Sequence, residues 1–480
     1  MMMNINYAYL LMLISLGFFA WLGITNALKR ESNLDEYLSA RNSQSWVSIG
    51  LSLFASGMGI WILFGPSEVG YYGGFYDVVG YALSSATPFI LLANIGPIIR
   101  KITPEGVTLA DYVKQRMGRT MQIYVGIISI IYMLTFMFAE YVAIGKAMNF
   151  LSGMDPLIPI IAVGIVTTVY TTMGGLPVSI KTDRVQSYFI IWLIICILLI
   201  IATSGSDMWE NAKTYTPEDA EEGWLHGSIS DYSTFEAGLA LVLAITAAEM
   251  FSQGNWQRAW ASENDLALRK GSYLAAVLCF IAVLLMGFLG TVKAGEGSLA
   301  DPSIAFFELI KNYSTWVFAM FVILGIALVC SSIDTLQNAL VAVVSRDITD
   351  GKVSLKEARY VTVAIVPIAV ILAWYLKDEP LSVFRIFLVA DLFAAATVLP
   401  IFMTLSDKIT PQGSLMGAIS GLLSVIVYGA ITADIGTGIG YLTNPVNEWG
   451  LANLGVFLSA LVGSGSVTVI GSMIFNRVET

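Results

Sequence analysis

A stretch of apolar residues long enough to cross a bilayer leaves a chain few folds, and this chain repeats such stretches from end to end. A spanning helix needs roughly 20 apolar residues. About thirteen spans are legible, near 5–27, 46–67, 75–98, 121–150, 156–173, 181–203, 236–260, 270–292, 314–346, 357–376, 381–404, 413–433 and 451–475. Charged residues make up only 12% of the chain, against roughly 25% in soluble domains. The chain therefore reads as an all-α polytopic protein whose solvent is the lipid bilayer. A net charge of −10 argues against a nucleic-acid partner. One histidine, His226, sits in a polar loop, which excludes His-based catalysis and metal binding. Cys196, Cys279 and Cys330 lie in apolar spans and read as small core residues. No Ser/His/Asp set, HExxH, CxxC or P-loop is legible, so an enzyme is not expected. The first apolar run lacks a basic leader and reads as a retained helix.

The sign of the loops orients the spans. Lys29, Arg30 and Arg41 follow the first span; Arg100, Lys101, Lys114, Arg116 and Arg119 follow the third. Arg346, Lys352, Lys356 and Arg359 follow the ninth, and Lys408 the eleventh. Basic residues collect on the cytoplasmic side, which predicts an outer N-terminus and a cytoplasmic C-terminus in the cell membrane. An even number of spans would scramble this alternation. The acidic loop from Asp207 to Asp231 falls on the other side and is expected to cover part of the outer face. The short amphipathic segment Asn33 to Ser48 is expected at the cytoplasmic interface.

Phe318 to Arg346 is apolar enough to span, yet its middle holds Ser331, Ser332, Asp334, Thr335, Gln337 and Asn338. Ser331, Asp334, Thr335 and Asn338 share one helical face. A carboxylate near the bilayer centre costs roughly 2.5–3.5 kcal/mol, so it faces a cavity, a partner or a bound cation. Oxygen ligands without His or Cys suit a hard cation such as sodium. An Asp that ties two helices together by hydrogen bonds has the same spacing.

Two spans look interrupted. Gly57 and Gly59 lie mid-span beside Ala55, Ser56 and Met58, and Phe251-Ser252-Gln253-Gly254-Asn255 is polar within the seventh span. Glycine weakens a helix by about 1 kcal/mol relative to Ala, although close helix packing also uses it. Broken spans at corresponding positions point to a transporter built from two inverted repeats.

Four stretches carry a family resemblance: Ala55-Ser56-Gly57-Met58-Gly59-Ile60-Trp61; Gly174-Gly175-Leu176 with Lys181-Thr182-Asp183-Arg184-Val185-Gln186; Trp256-Gln257-Arg258-Ala259; and Ser331-Ser332 with Asp347-Ile348. Together they resemble the sodium:solute symporter family. The resemblance implies a LeuT-type fold of two inverted five-helix repeats. Its parts would be an extra N-terminal helix with interfacial segment (1–45), the first repeat (46–203), an extracellular loop (204–235), the second repeat (236–404) and two extra helices (405–480). It implies a sodium site made by the carbonyls of Ala55, Met58 and Leu328 and the hydroxyls of Ser331 and Ser332. In some members a second cation is held where this chain has Asp183, Asp334 and Thr335. Asp334 departs from the family's hydroxyl there, and Gly57 departs from the acidic residue of proline-type members.

The solute is expected at mid-membrane among Ser56, Gly57, Trp61, Gln253, Asn255 and Trp256, with Glu140 and Asp391 as additions. Glu140, Glu249 and Asp391 can equally be carboxylates paired inside the bundle, for example Asp391 with Arg385. Arg258 is expected as an interfacial anchor or gate. The resemblance thus implies sodium-coupled symport of a small polar organic solute by alternating access, with a proline-like amino acid the nearest substrate. A sodium/urea symporter, and a solute-sensing or channel-like protein of the same fold, are the alternatives.

Overall fold

Helices are the regular elements of the computed structural model, which describes residues 3–29, 33–204, 235–311, 313–376 and 382–478. In order they are α1 (Ile5–Ala27), α2 (Leu34–Ser39), α3 (Trp46–Gly57), α4 (Gly65–Ile102), α5 (Leu109–Ser152), α6 (Leu157–Ser204), α7 (Glu236–Glu249), α8 (Gln253–Ala261), α9 (Asp265–Gly295), α10 (Ala305–Ile310), α11 (Thr315–Ala342), α12 (Leu355–Leu376), α13 (Val383–Phe402), α14 (Pro411–Thr432), α15 (Ile435–Gly440) and α16 (Leu454–Val478). Among the described residues, ten helices are long and apolar enough to cross a membrane. The pair α7 and α8, bent by 58°, makes an eleventh if counted as one span. Helix α3 is apolar but shorter.

The count differs from the thirteen expected because two expected spans form one continuous helix and the span near 46–67 is represented by the short α3 with a 3-10 turn. Helix α6 runs through both spans expected near 156–173 and 181–203, over 48 residues. A straight helix of that length would reach about 72 Å, more than twice the hydrocarbon core of about 30 Å. It breaks at Gly175, whose φ of 60° and ψ of −153° are open essentially to glycine alone. A β-carbon there would also fall 2.4 Å from the Tyr37 carbonyl oxygen. Helices α4 and α5 break in the same manner at Gly74 and Gly118.

The basic loops meet at one end of the bundle, as their alternation requires. Arg41 donates to the Pro104 carbonyl at 2.7 Å, Lys114 pairs with Asp350 at 2.5 Å, and Arg116 pairs with Asp407 at 2.7 Å. At the opposite end the Leu299 N–H donates to the Tyr71 hydroxyl at 2.7 Å. Helix α2 starts at Asn33, whose side chain accepts the Glu36 N–H at 2.8 Å. The Arg41 guanidinium beside Asp35 holds that carboxyl below its usual range. This segment docks on protein. Tyr37 is buried, Gln257 donates to the Leu38 carbonyl at 2.8 Å, and Asn42 N–H reaches the Trp260 carbonyl at 3.0 Å. The acidic loop from Asp207 to Asp231 lies outside the described residues.

Candidate functional site

The first interrupted span breaks where its glycines predict. Helix α3 stops at Gly57, Met58 leaves the helical region (φ −100°, ψ 73°) and Gly59 is extended, and a 3-10 turn, Ile60–Leu63, restarts the chain. A restarting helix has unpaired N–H groups. Glu140 of α5 accepts two of them, from Ile60 at 2.8 Å and Trp61 at 3.2 Å. A β-carbon on Gly59 would sit 2.4 Å from Glu140 Oε1, so the bare backbone is what lets the carboxylate reach.

Helix α11 crosses this break. The Ser331 hydroxyl is 2.9 Å from the carbonyls of both Ala55 and Leu328, and 3.1 Å from that of Ala327. Ser332 faces Glu140, and Met58 is buried at the break itself. Of the five expected sodium ligands, the structure brings the Ser331 hydroxyl within hydrogen-bond distance of the Ala55 and Leu328 carbonyls, with Met58 at the break and Ser332 next to Ser331 in α11. The donors are carbonyl and hydroxyl oxygens, the set a hard monovalent cation takes.

One helical turn further on, the polar face of α11 meets a second acidic centre. Asp334 accepts the hydroxyls of Ser179 at 2.6 Å, Tyr170 at 2.7 Å and Thr182 at 3.2 Å. Asp183 accepts the Ser52 hydroxyl at 2.6 Å and pairs with Arg258 at 2.7 Å. Arg258 also donates to Thr335 at 2.6 Å, Ser52 at 2.8 Å and the Gly254 carbonyl at 2.9 Å. Its side chain is 0% exposed. Arg258 is thus no interfacial anchor: its guanidinium stands between Asp183 and Thr335, two of the residues expected around a second cation.

Next to the first break lie two small adjoining cavities that share Trp61, Phe136 and Glu249. Ser56, Gly57, Asn255 and Ser332 line the cavity nearer the ion ligands. The other is walled by rings. Trp61 stacks on Tyr81 at 5.7 Å and meets Phe387 edge-on at 6.3 Å, and Phe136 meets Phe387 at 4.2 Å. Two carboxylates, Glu249 and Asp391, complete this wall. Glu249 accepts the Asn255 amide at 2.9 Å and the Tyr132 hydroxyl at 3.2 Å. Asp391 is 1% exposed, and its Oδ1 has no hydrogen-bond partner. Among the described residues neither carboxylate forms an ion pair. The Asp391–Arg385 pair allowed by the sequence is not formed, since Arg385 is exposed while Asp391 is buried.

Of the expected solute residues, Ser56, Gly57, Trp61, Asn255 and Asp391 line these cavities. Three lie elsewhere. Glu140 sits behind the break. Gln253 is spent on the scaffold, accepting the Leu109 N–H at 2.7 Å and donating to Ser129 at 2.9 Å. The Trp256 indole N–H closes on the Met250 carbonyl at 2.8 Å, and its ring lies on Phe402. Sequence reasoning missed Ser52 and the rings of Tyr81, Phe136 and Phe387, which look like ordinary packing residues in their spans. Glu249 carried a signal, being a carboxylate in an apolar run directly before the second break.

Known proteins share this fold and this family's sequence pattern. The sequence model of the sodium:solute symporter family matches residues 37–421. A spermidine transporter of Candida albicans is 28% identical over 95% of this chain and 87% of its own. The sodium/proline symporter of Escherichia coli is 21% identical over 88% and 86%. The structure of a Na+-coupled sialic acid symporter superposes with a TM-score of 0.76 at 14% identity, covering 98% of each chain. Its relatives are symporters and not enzymes, and the fold is that of the sodium-coupled transporters; the chain belongs to the sodium:solute symporter family.

Proposed function

We propose that this protein couples the inward flow of sodium to the uptake of a small organic cation, a di- or polyamine. The observation that carries the substrate is the cavity wall: Glu249 and Asp391, without a cation partner, among aromatic rings. Ammonium groups pair with carboxylates and are attracted to ring faces. The similarity to a spermidine transporter supports the same class. A proline-like amino acid, favoured by the first broken span and by the sodium/proline symporters among the relatives, fits less well. Its carboxylate would enter a wall that has two carboxylates and neither Lys nor Arg.

In this reading sodium binds at Ala55, Met58, Leu328, Ser331 and Ser332 and joins the break to α11. Coupling follows if sodium and solute both favour the same conformation. One charge moving through 100 mV supplies about 2.3 kcal/mol, and a tenfold sodium gradient about 1.4 kcal/mol more. We read α6 as two crossings that meet at Gly175 and α3 with the 3-10 turn as one broken crossing, which gives thirteen spans. Residues 46–203 and 236–404 are then the two inverted repeats, with the N-terminus outside and the basic loops in the cytoplasm of the cell membrane. Asp183, Asp334 and Thr335 hold a second cation only if Arg258 swings away.

Purified protein in sealed liposomes tests the reading. An inward sodium gradient should concentrate labelled spermidine above its outside level, and a potassium gradient should not. Proline accumulation without spermidine accumulation would reject the amine. Equilibration without accumulation would indicate a channel, and binding without entry a sensor.

A further inference from the structure

Glu140 is a fully buried carboxylate that lines neither cavity. Among the described residues no Lys or Arg pairs with it. Its partners are neutral: the N–H groups of Ile60 and Trp61, and the Ser332 hydroxyl. A carboxylate held at membrane depth by neutral donors needs a positive charge nearby or a proton. The adjoining ion site has the opposite need. Three carbonyls and two hydroxyls carry no net charge, so a sodium ion leaving water for them finds no counter-charge among its ligands.

We infer that Glu140 is the counter-charge of the coupling sodium and the positioning residue that passes ion occupancy to the solute cavity. This rests on the sodium site proposed above. The path is short and continuous. Ser332 lies near the carboxylate, the carboxylate holds the Ile60 and Trp61 N–H groups, and Trp61 lines both cavities. With sodium present the carboxylate is balanced and its hold on the restarting turn is firm. Without sodium the charge is unbalanced, and residues 58–61 loosen along with the Trp61 wall. Gly59 fits this role, since only a residue without a side chain lets the carboxylate lie against the backbone.

The experiment compares loss of charge with loss of capping. The Ile60 N–H meets Oε2 and the Trp61 N–H meets Oε1, so Glu140→Gln removes the charge and one of the two acceptors, whereas Glu140→Asp keeps the charge and two acceptor oxygens on a shorter side chain. Purified wild type, Glu140→Gln, Glu140→Asp and Ser331→Ala are titrated with NaCl at constant ionic strength against KCl, and thermal stability is read. Glu140→Gln should raise the half-saturating sodium about tenfold or more. Glu140→Asp, which keeps the charge, should fall between it and wild type. Labelled spermidine should still bind Glu140→Gln at saturating sodium, within about threefold of wild type. Wild-type sodium dependence in Glu140→Gln, with Ser331→Ala shifted, overturns the inference and leaves the ion site standing. Loss of spermidine binding at saturating sodium makes Glu140 a solute ligand and also overturns it. A wild type that responds equally to sodium and potassium removes the ion site itself. Hydrogen exchange on the wild type gives an answer even if Glu140→Gln does not fold. The Ile60 and Trp61 amides should exchange more slowly in NaCl than in KCl, and equal rates overturn the inference.

Discussion

Two of the acidic centres inside this bundle are finished in opposite ways. At the first, Asp183 and Asp334 share the interior with Arg258, and hydroxyls from Ser52, Tyr170, Ser179, Thr182 and Thr335 complete the network. At the second, Glu249 and Asp391 face a cavity with neutral donors and aromatic rings and without a Lys or Arg among the described residues that line it. A buried charge is tolerated when it is paired and hydrogen-bonded. The first centre meets that condition in part within the chain, since Arg258 pairs with Asp183 and hydroxyls satisfy Asp334 while Asp183 Oδ1 has no hydrogen-bond partner, and it joins α3, α6, α8 and α11. The second lacks such a guanidinium, and in the function proposed here a cationic solute would supply the positive charge. The presence of Arg258 is what separates the two centres.

The largest effect should come from removing the first centre's cation. Arg258→Met leaves Asp183 buried and unpaired and should destabilise the protein by about 3–5 kcal/mol, read as a fall in melting temperature in lipid nanodiscs. Arg258→Met with Asp183→Asn should recover much of that loss. If the double variant is as unstable as the single one, the centre is not organised around this ion pair. At the second centre the signs reverse. Asp391→Asn and Glu249→Gln should leave melting temperature unchanged or raised. Each should weaken spermidine binding by about 2–4 kcal/mol, the scale of truncating one partner of a buried charge pair. A loss of stability without a loss of binding would make both centres structural and erase the distinction.

How much of this could be read in the sequence follows from the physics of each feature. The break at Met58 and Gly59 was legible because two glycines fall together mid-span and a second polar break lies at the corresponding place in the seventh span, although close helix packing also uses glycine. The polar face of α11 was legible as one stripe, but its division among partners was not. Ser331 goes to α3, Asp334 to α6, Thr335 to α8, and Asn338 folds back onto the Asp334 carbonyl. Spacing says which side chains share a face and is silent on what crosses that face. Arg258 read as interfacial because a basic residue near a span end usually is, and only its neighbours in three dimensions make burial tolerable. The corners at Gly74, Gly118 and Gly175 were expected as span ends, and they fall inside continuous helices because one left-handed glycine turns the chain without a loop.

A smaller effect tests the link between ion and break. Ser331→Ala removes the hydroxyl that meets Ala55 and Leu328. It should cost about 1.4 kcal/mol, a tenfold rise in half-saturating sodium for spermidine uptake. The maximal rate at saturating sodium should change less, because the solute wall is intact. An unchanged sodium dependence would move the ion away from this crossing.

The smallest effect asks whether the rings act as more than apolar lining. Trp61 stacks on Tyr81 beside Glu249 and Asp391, so an ammonium between the carboxylates would also meet a ring face. A partly desolvated cation–π contact is worth about 1 kcal/mol, so Trp61→Leu should weaken spermidine binding about fivefold. Lost packing would produce a loss of similar size, and the charge of the ligand separates the two. Methylation of both terminal amines keeps the charge and should keep the penalty. Acetylating them removes the terminal charges, so the acetylated compound should bind weakly to wild type and lose little more in Trp61→Leu. Equal penalties for charged and acetylated compounds would reduce Trp61 to a wall. Recognition would then rest on the two carboxylates alone.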